Sequence, residues 1–231
     1  MRKRYILLFA LVLAAALILM FPLRVAVGFM GPMLSARTAS GSIWRGTLQD
    51  VSFGGVSLGD FRVRLSPLSL LGGKVALQFE GVGDRARRGT LFAKFSGYGA
   101  DDINARIALP GMFAPLPIDV VELHAASAAF GSKACRTASG RVSITLSGSF
   151  AGISLGDALS GQLRCDRGIV TLPLVSPSAM ERITLRIAQD GSYAAQLLIR
   201  AADADTATKL NAAGFRETTA GHLLEVSGLR I

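Results

Sequence analysis

Between Ala39 and Leu71 the chain reads ASGSIWRGTLQDVSFGGVSLGDFRVRLSPLSLL, and this stretch restricts the fold more than any other. Apolar and polar residues alternate along it, with glycines recurring at turn spacing. A period of two gives a strand one face for a core and one for water, a division that a helix cannot make from the same pattern. The alternation stops at Ser66-Pro67-Leu68-Ser69-Leu70-Leu71. Pro67 cannot donate to a β-ladder, and the leucines after it read as one apolar helical turn lying on the sheet. A shortened copy follows, because Ser149-Phe150-Ala151-Gly152-Ile153-Ser154-Leu155-Gly156-Asp157 matches Ser52-Phe53-Gly54-Gly55-Val56-Ser57-Leu58-Gly59-Asp60. The recurrence implies two related halves, about 37–118 and 119–231.

The same reading predicts strands over 38–45, 47–53, 61–65, 74–80, 89–96 and 103–109 in the first half. In the second half it predicts strands over 120–130, 140–146, 160–165, 168–172, 183–188, 193–200 and 223–227. Gly59-Asp60 and Gly156-Asp157 read as tight turns, and Asp190-Gly191 as a hairpin tip. Pro173 and Pro177 close the pair of strands before them. Asp205 reads as the cap of a short helix over 206–213 that Gly214 ends. No long amphipathic helix follows residue 30, and strands do not alternate with helices. The expected class is mainly β: an N-terminal transmembrane helix, then a curved antiparallel β meander (open sheet, groove or sandwich) with one or two short helices.

The transmembrane helix rests on Arg2-Lys3-Arg4 and the uncharged run behind it, Tyr5 to Leu23. At helical rise that run spans roughly 28 Å, close to the hydrocarbon thickness of a bilayer. A cleaved signal has a shorter apolar core with a small-x-small site directly after it, and Ala26-Val27-Gly28 is a poor one. Residues 1–30 therefore read as a cytoplasmic tip plus an uncleaved anchor. The cationic flank holds the N-terminus inside and sends 31–231 across the membrane.

The formal charge is +9, from 25 Lys and Arg against 16 Asp and Glu. Nucleic-acid binding concentrates such charge in patches interleaved with aromatics. Here Arg62, Arg64, Arg106, Arg141, Arg164, Arg182 and Arg186 stand singly at strand spacing, as on the wet face of a sheet. No nucleic-acid partner is expected. His124 and His222 stand far apart with no partner motif. A carboxylate pair of Asp60 and Asp157 is imaginable, but turn chemistry explains both. Gly-x-Ser-x-Gly and phosphate-loop motifs are missing. The residues thus point to no catalytic group, no metal and no cofactor. Trp44 beside Arg45 reads either as an exposed recognition pair or as a core anchor. Cys135 and Cys165 remain. In an exported domain a disulfide is the default, and two thiols without a nearby histidine or third thiol make a poor zinc site.

Ser40-Gly41-Ser42-Ile43-Trp44-Arg45-Gly46 behind a positively flanked anchor, followed by Leu65-Ser66-Pro67-Leu68, resembles the type II secretion system protein N family. The segments around Cys135 and Cys165 fit the same family, as does the end around Asp190-Gly191-Ser192-Tyr193 with its short helix. The resemblance implies a single-pass protein of the bacterial inner membrane whose periplasmic domain associates with other secretion components. It implies no catalytic residue. Gly41, Trp44, Gly46, Leu65, Pro67 and Leu68 then stand as fold determinants. In architecture alone the chain is also similar to anchored periplasmic β-groove proteins of the AsmA type. Two readings follow: a docking protein of the secretion system, held to the membrane lipid by its anchor, or a lipid-binding groove with a bound acyl chain.

Overall fold

The computed structural model describes residues 5, 20, 22–28, 34–53, 56–108, 116, 118–131, 134–146, 149–150, 152–155 and 158–228. Arg2, Lys3, Arg4, most of the expected membrane span, Gly156 and Asp157 lie outside them. Among the described residues no helix is long and apolar enough to cross a membrane. The chain forms two compact units, Met1–Arg85 and Ala86–Ile231. This boundary differs from the division at 118/119 expected from the recurrence.

Unit 1 holds helix α1 (Leu23–Gly28), strands β1 (Leu34–Ser42), β2 (Arg45–Phe53) and β3 (Val56–Leu65), helix α2 (Pro67–Leu71) and strand β4 (Lys74–Gly81). The strands pair antiparallel in the order β1-β2-β3-β4. Directly opposed residues face the same side, so Leu48 with Phe61 and Val63 with Phe79 line one face. Phe61 and Phe79 meet edge to face, with ring centroids 5.7 Å apart. Leu23, Leu48, Val51 and Val63 form the buried centre of this face.

Unit 2 begins with β5 (Arg88–Lys94), β6 (Gly97–Ala108), β7 (Ile118–Phe130) and β8 (Cys135–Leu146). A separate small hairpin follows, β9 (Ser149–Phe150) with β10 (Ile153–Ser154). Then come β11 (Ala158–Gln162), β12 (Arg164–Asp166), β13 (Ile169–Val175), β14 (Glu181–Ile187) and β15 (Tyr193–Ile199). Helix α3 (Ala204–Ala212), β16 (Arg216–Thr218) and β17 (Gly221–Gly228) end the unit. The path β5-β6-β7-β8-β11-β13-β14-β15-β17-β16 is antiparallel throughout and keeps sequence order until its last pair. Its core face carries Val142, Ile144, Leu159, Leu174, Ile183 and Leu197, each almost fully buried.

Bulges mark both units, at Asp50 in unit 1 and at Asp102 and Ala125 in unit 2. Asp50, Asp102 and Ala125 have left-handed backbone, with φ of 52°, 47° and 47°, and each sits at a register shift. A bulge frees a backbone N–H from the ladder, and here each freed donor finds a side chain. Asp50 N–H donates to Asp60 Oδ1 at 2.8 Å, Asp102 N–H to Ser127 Oγ at 3.0 Å, and Ala125 N–H to Asn104 Oδ1 at 3.0 Å. Gly59 and Asp60 therefore lie inside β3 and support a bulge, where a tight turn was expected.

The recurrence is visible in the backbone. Ser52 pairs with Ser57 and Phe53 with Val56, just as Ser149 pairs with Ser154 and Phe150 with Ile153. Both copies are antiparallel hairpins with the same register. Other expectations need correction. Pro173 sits within β13 opposite Thr184, so that strand runs past the expected stop. The helix cap is Asp203, whose Oδ1 accepts from Thr206 N–H at 2.7 Å, whereas Asp205 lies in the first turn and pairs with Lys209 at 2.6 Å.

Candidate interaction surface

The motif residues Gly41–Gly46 and Leu65–Leu68 of unit 1 converge on one end of its sheet, while Gly59 and Asp60 lie toward the β2–β3 hairpin. Successive strands reverse direction, so the β1–β2 turn and the β3–α2–β4 connection share that end. Leu65 N–H donates to Ile43 C=O at 3.0 Å, and Ser66 N–H to Ala76 C=O at 2.9 Å. Gly41–Gly46 and Leu65–Leu68, two motifs separated in sequence, are thereby joined.

Gly41 pairs with Gly46, and Gly46 with Val63. Gly41 has φ of +86°, and a Cβ there would lie 2.5 Å from the Arg45 carbonyl oxygen. A Cβ on Gly46 would strike the Leu23 side chain and come within 2.9 Å of the Ser40 carbonyl oxygen. The bare backbone at Gly46 is the seat of α1, and Leu23 is buried there. Pro22 forms a bridge with Ser42 at the same place. Leu23 is the residue that sequence reasoning missed: it read as the end of the anchor. The signal was the glycine pair, which needs something to fill the space above it.

Trp44 was expected within a strand; it sits with Ile43 in the β1–β2 turn, half-buried. Pro67 opens α2, where its missing N–H is no loss. The helix was expected to lie on the sheet, but none of its residues is buried, and Leu68 and Leu71 are 78% and 87% exposed. It is one turn long, and Gly72 and Gly73 N–H cap it through the Ser69 and Leu70 carbonyls. Those bonds end the helix before it can reach across the sheet.

In unit 2 the bridge Cys135–Cys165 joins the start of β8 to β12, with Cα atoms 5.8 Å apart. Cys135 N–H donates to Gly168 C=O at 2.7 Å, fixing the same junction through the backbone. The histidines are not brought together. His124 is exposed on β7 with its Nε2 3.8 Å from Glu122, and His222 is buried on β17 with neither ring nitrogen hydrogen-bonded. Among the described residues no group of three His, Cys, Asp or Glu is placed to hold a metal ion. A groove of about 520 Å³ lies at the strand ends near Ile169, Arg186, Ala194 and Ser227. Arg186, Ala194 and Ser227 form one cross-strand row on the face opposite the core.

The geometry thus offers joined motifs and exposed apolar and cationic groups, the material of an interface. A family model described as type II secretion system (T2SS), protein N, matches residues 32–223. The chain belongs to that family. As a protein N family member it is a component of type II secretion. The match takes in both joined motifs and both cysteines, and it begins behind the uncharged run 5–23. No curated protein and no solved structure matches this protein N chain.

Proposed function

We propose that this chain is an inner-membrane-anchored accessory component of the type II secretion system whose non-catalytic periplasmic β-domain docks other secretion components. The family match over 32–223 carries the reading, because it leaves Arg2-Lys3-Arg4 and the run 5–23 in front of it as topology signal and anchor. With the flank in the cytoplasm, 31–231 lie in the periplasm, a compartment that keeps a Cys135–Cys165 bridge oxidised. The domain uses polar faces and strand edges for docking and requires neither cofactor nor catalytic residue. The recurrent hairpin divides the sequence into two related halves, about 37–118 and 119–231, a division distinct from that of the compact units.

The competing reading is a lipid-carrying groove of the AsmA type. Packing speaks against it in unit 2, where Leu116, Leu155, Leu210 and Phe215 of the same chain are buried in the core cluster. The test is affinity purification of the detergent-solubilised full-length protein, with mass spectrometry of co-purifying proteins and lipids. Other type II secretion proteins without stoichiometric lipid are expected. Lipid retained after removal of residues 1–30, with no secretion partner, would replace docking by lipid carriage. Deleting the gene is expected to reduce secretion of folded exoproteins, and unchanged secretion would refute the assignment.

A further inference from the structure

We propose that the α2 end of unit 1 seats on the membrane surface from which the anchor emerges, with Leu68 and Leu71 entering the lipid interface and the exposed arginines Arg24, Arg45 and Arg64 facing anionic headgroups. This rests on the anchor reading above. Three observations made within unit 1 converge on it.

The first is position. The uncharged run ends at Leu23, and Pro22 bridges to Ser42 beside the β1–β2 turn. Residues leaving a bilayer there deliver the sheet with that end foremost. The same end carries α2, tied in by Leu65 N–H to Ile43 C=O.

The second is exposure. Leu68, Leu70, Leu71 and Val75 are exposed together, with Met20 and Val25 exposed in the segment leading to and forming α1. An apolar group this dense on one short stretch of surface marks a contact with protein or lipid. The position of the anchor selects lipid.

The third is charge. Arg24, Arg45 and Arg64 are exposed at or near this end, and Lys74 opens β4 next to α2. The segments 20–28, 40–48 and 62–76, which build this end, contain no Asp or Glu. Asp50, Asp60, Glu80 and Asp84, the acidic residues of unit 1, fall further down the strands or beyond them. Apolar side chains fringed by cations, with Trp44 in the adjacent turn, are the composition of an interfacial membrane contact.

The test uses the full-length protein reconstituted in phosphatidylethanolamine–phosphatidylglycerol vesicles. Trp44 is the only tryptophan, so its quenching by lipids brominated near the headgroup reports on this end without any substitution. Clear quenching is expected, and none would overturn the proposal. Because Cys135 and Cys165 are bridged, single cysteines introduced by Leu71→Cys, Met20→Cys and Ser57→Cys each accept one environment-sensitive fluorophore. The probe at 71 is expected to shift to the blue and be quenched by lipid-borne quencher, while that at 57, on the opposite hairpin, stays in water. A probe at 20 within lipid but at 71 in water would sink the seating and leave the anchor standing; the α2 end would then face a protein. A probe at 20 in water would show that the anchor reading itself had failed. The double variant Leu68→Ser/Leu71→Ser removes only exposed side chains, so it is expected to keep the parent melting temperature and lose most of the Trp44 quenching. Undiminished quenching in that variant would likewise count against the proposal.

Discussion

Gly46 is small because Leu23 occupies the space that a side chain would need. Gly46→Ala is expected to destabilise unit 1 by about 1–3 kcal/mol, the usual cost of overpacking. Combined with Leu23→Ala it is expected to cost less than the sum of the two, since the second change removes what the first collides with. Denaturant midpoints of the parent, single and double variants check this. Asp60 allows a second residue-level prediction. It accepts the Asp50 N–H that a bulge releases, so Asp60→Ala leaves a backbone donor unpaired at about 1 kcal/mol, and Asp60→Asn keeps an acceptor and most of the stability. Gly59 and Asp60 were legible as residues with a special local role, but the role was misread. Left-handed backbone and a short acceptor suit turns and bulges equally, and the choice depends on register with β2, which lies elsewhere in the sequence.

At the scale of single elements, the short helix α3 shows the same division. Its existence and its end at Gly214, with φ of +90°, followed from propensity, but the cap fell two residues earlier than expected. Asp203 and Asp205 both precede threonine-rich helical sequence, and only the extended backbone at Asp203 lets its carboxylate reach Thr206 N–H. That hydrogen bond holds the Asp203 carboxyl below its ordinary range, while the hydrogen bond to Asp205 raises Lys209 above its own. The cap is therefore fully formed above the ordinary aspartate pKa and is lost as pH falls through the lowered one. The Lys209 contribution is complete below the ordinary lysine pKa and is lost as pH rises through the raised one. Asp203→Ala is expected to lower the melting temperature by a few degrees at neutral pH and by less in strong acid. Asp203→Asn, which caps without a charge, is expected to flatten that acid dependence. Thermal melts over a pH series distinguish the three proteins. Strand positions were mostly legible because alternation is local, whereas strand ends were not. β6 and β8 begin well before their predicted starts because pairing with β5 and β7 recruits residues with weak patterns of their own.

For the molecule as a whole, the Cys135–Cys165 bridge closes a loop with a sequence separation of 30 residues. On the loop-entropy account its loss in Cys135→Ser/Cys165→Ser is expected to cost roughly 3–4 kcal/mol. A reductant is expected to lower the parent's melting temperature and leave that variant's unchanged. The bridge and the mainly β class were legible from composition and patterning, and the family through the resemblance carried by Ser40–Gly46 and Leu65–Leu68. The exposed end of unit 1 was not, because burial of the α2 leucines depends on how far one helical turn reaches. The strand order carries a final consequence. Each described strand of unit 1 after β1, like most of those in unit 2, hydrogen-bonds to the strand synthesised just before it, and β11 reaches back only past the β9–β10 hairpin to β8, so little pairing has to wait for distant sequence. Under the proposed topology the chain would zip up hairpin by hairpin as it emerges, with Leu23 and Gly46 as the first clasp and the β16–β17 pair, where the strand order inverts, as the last.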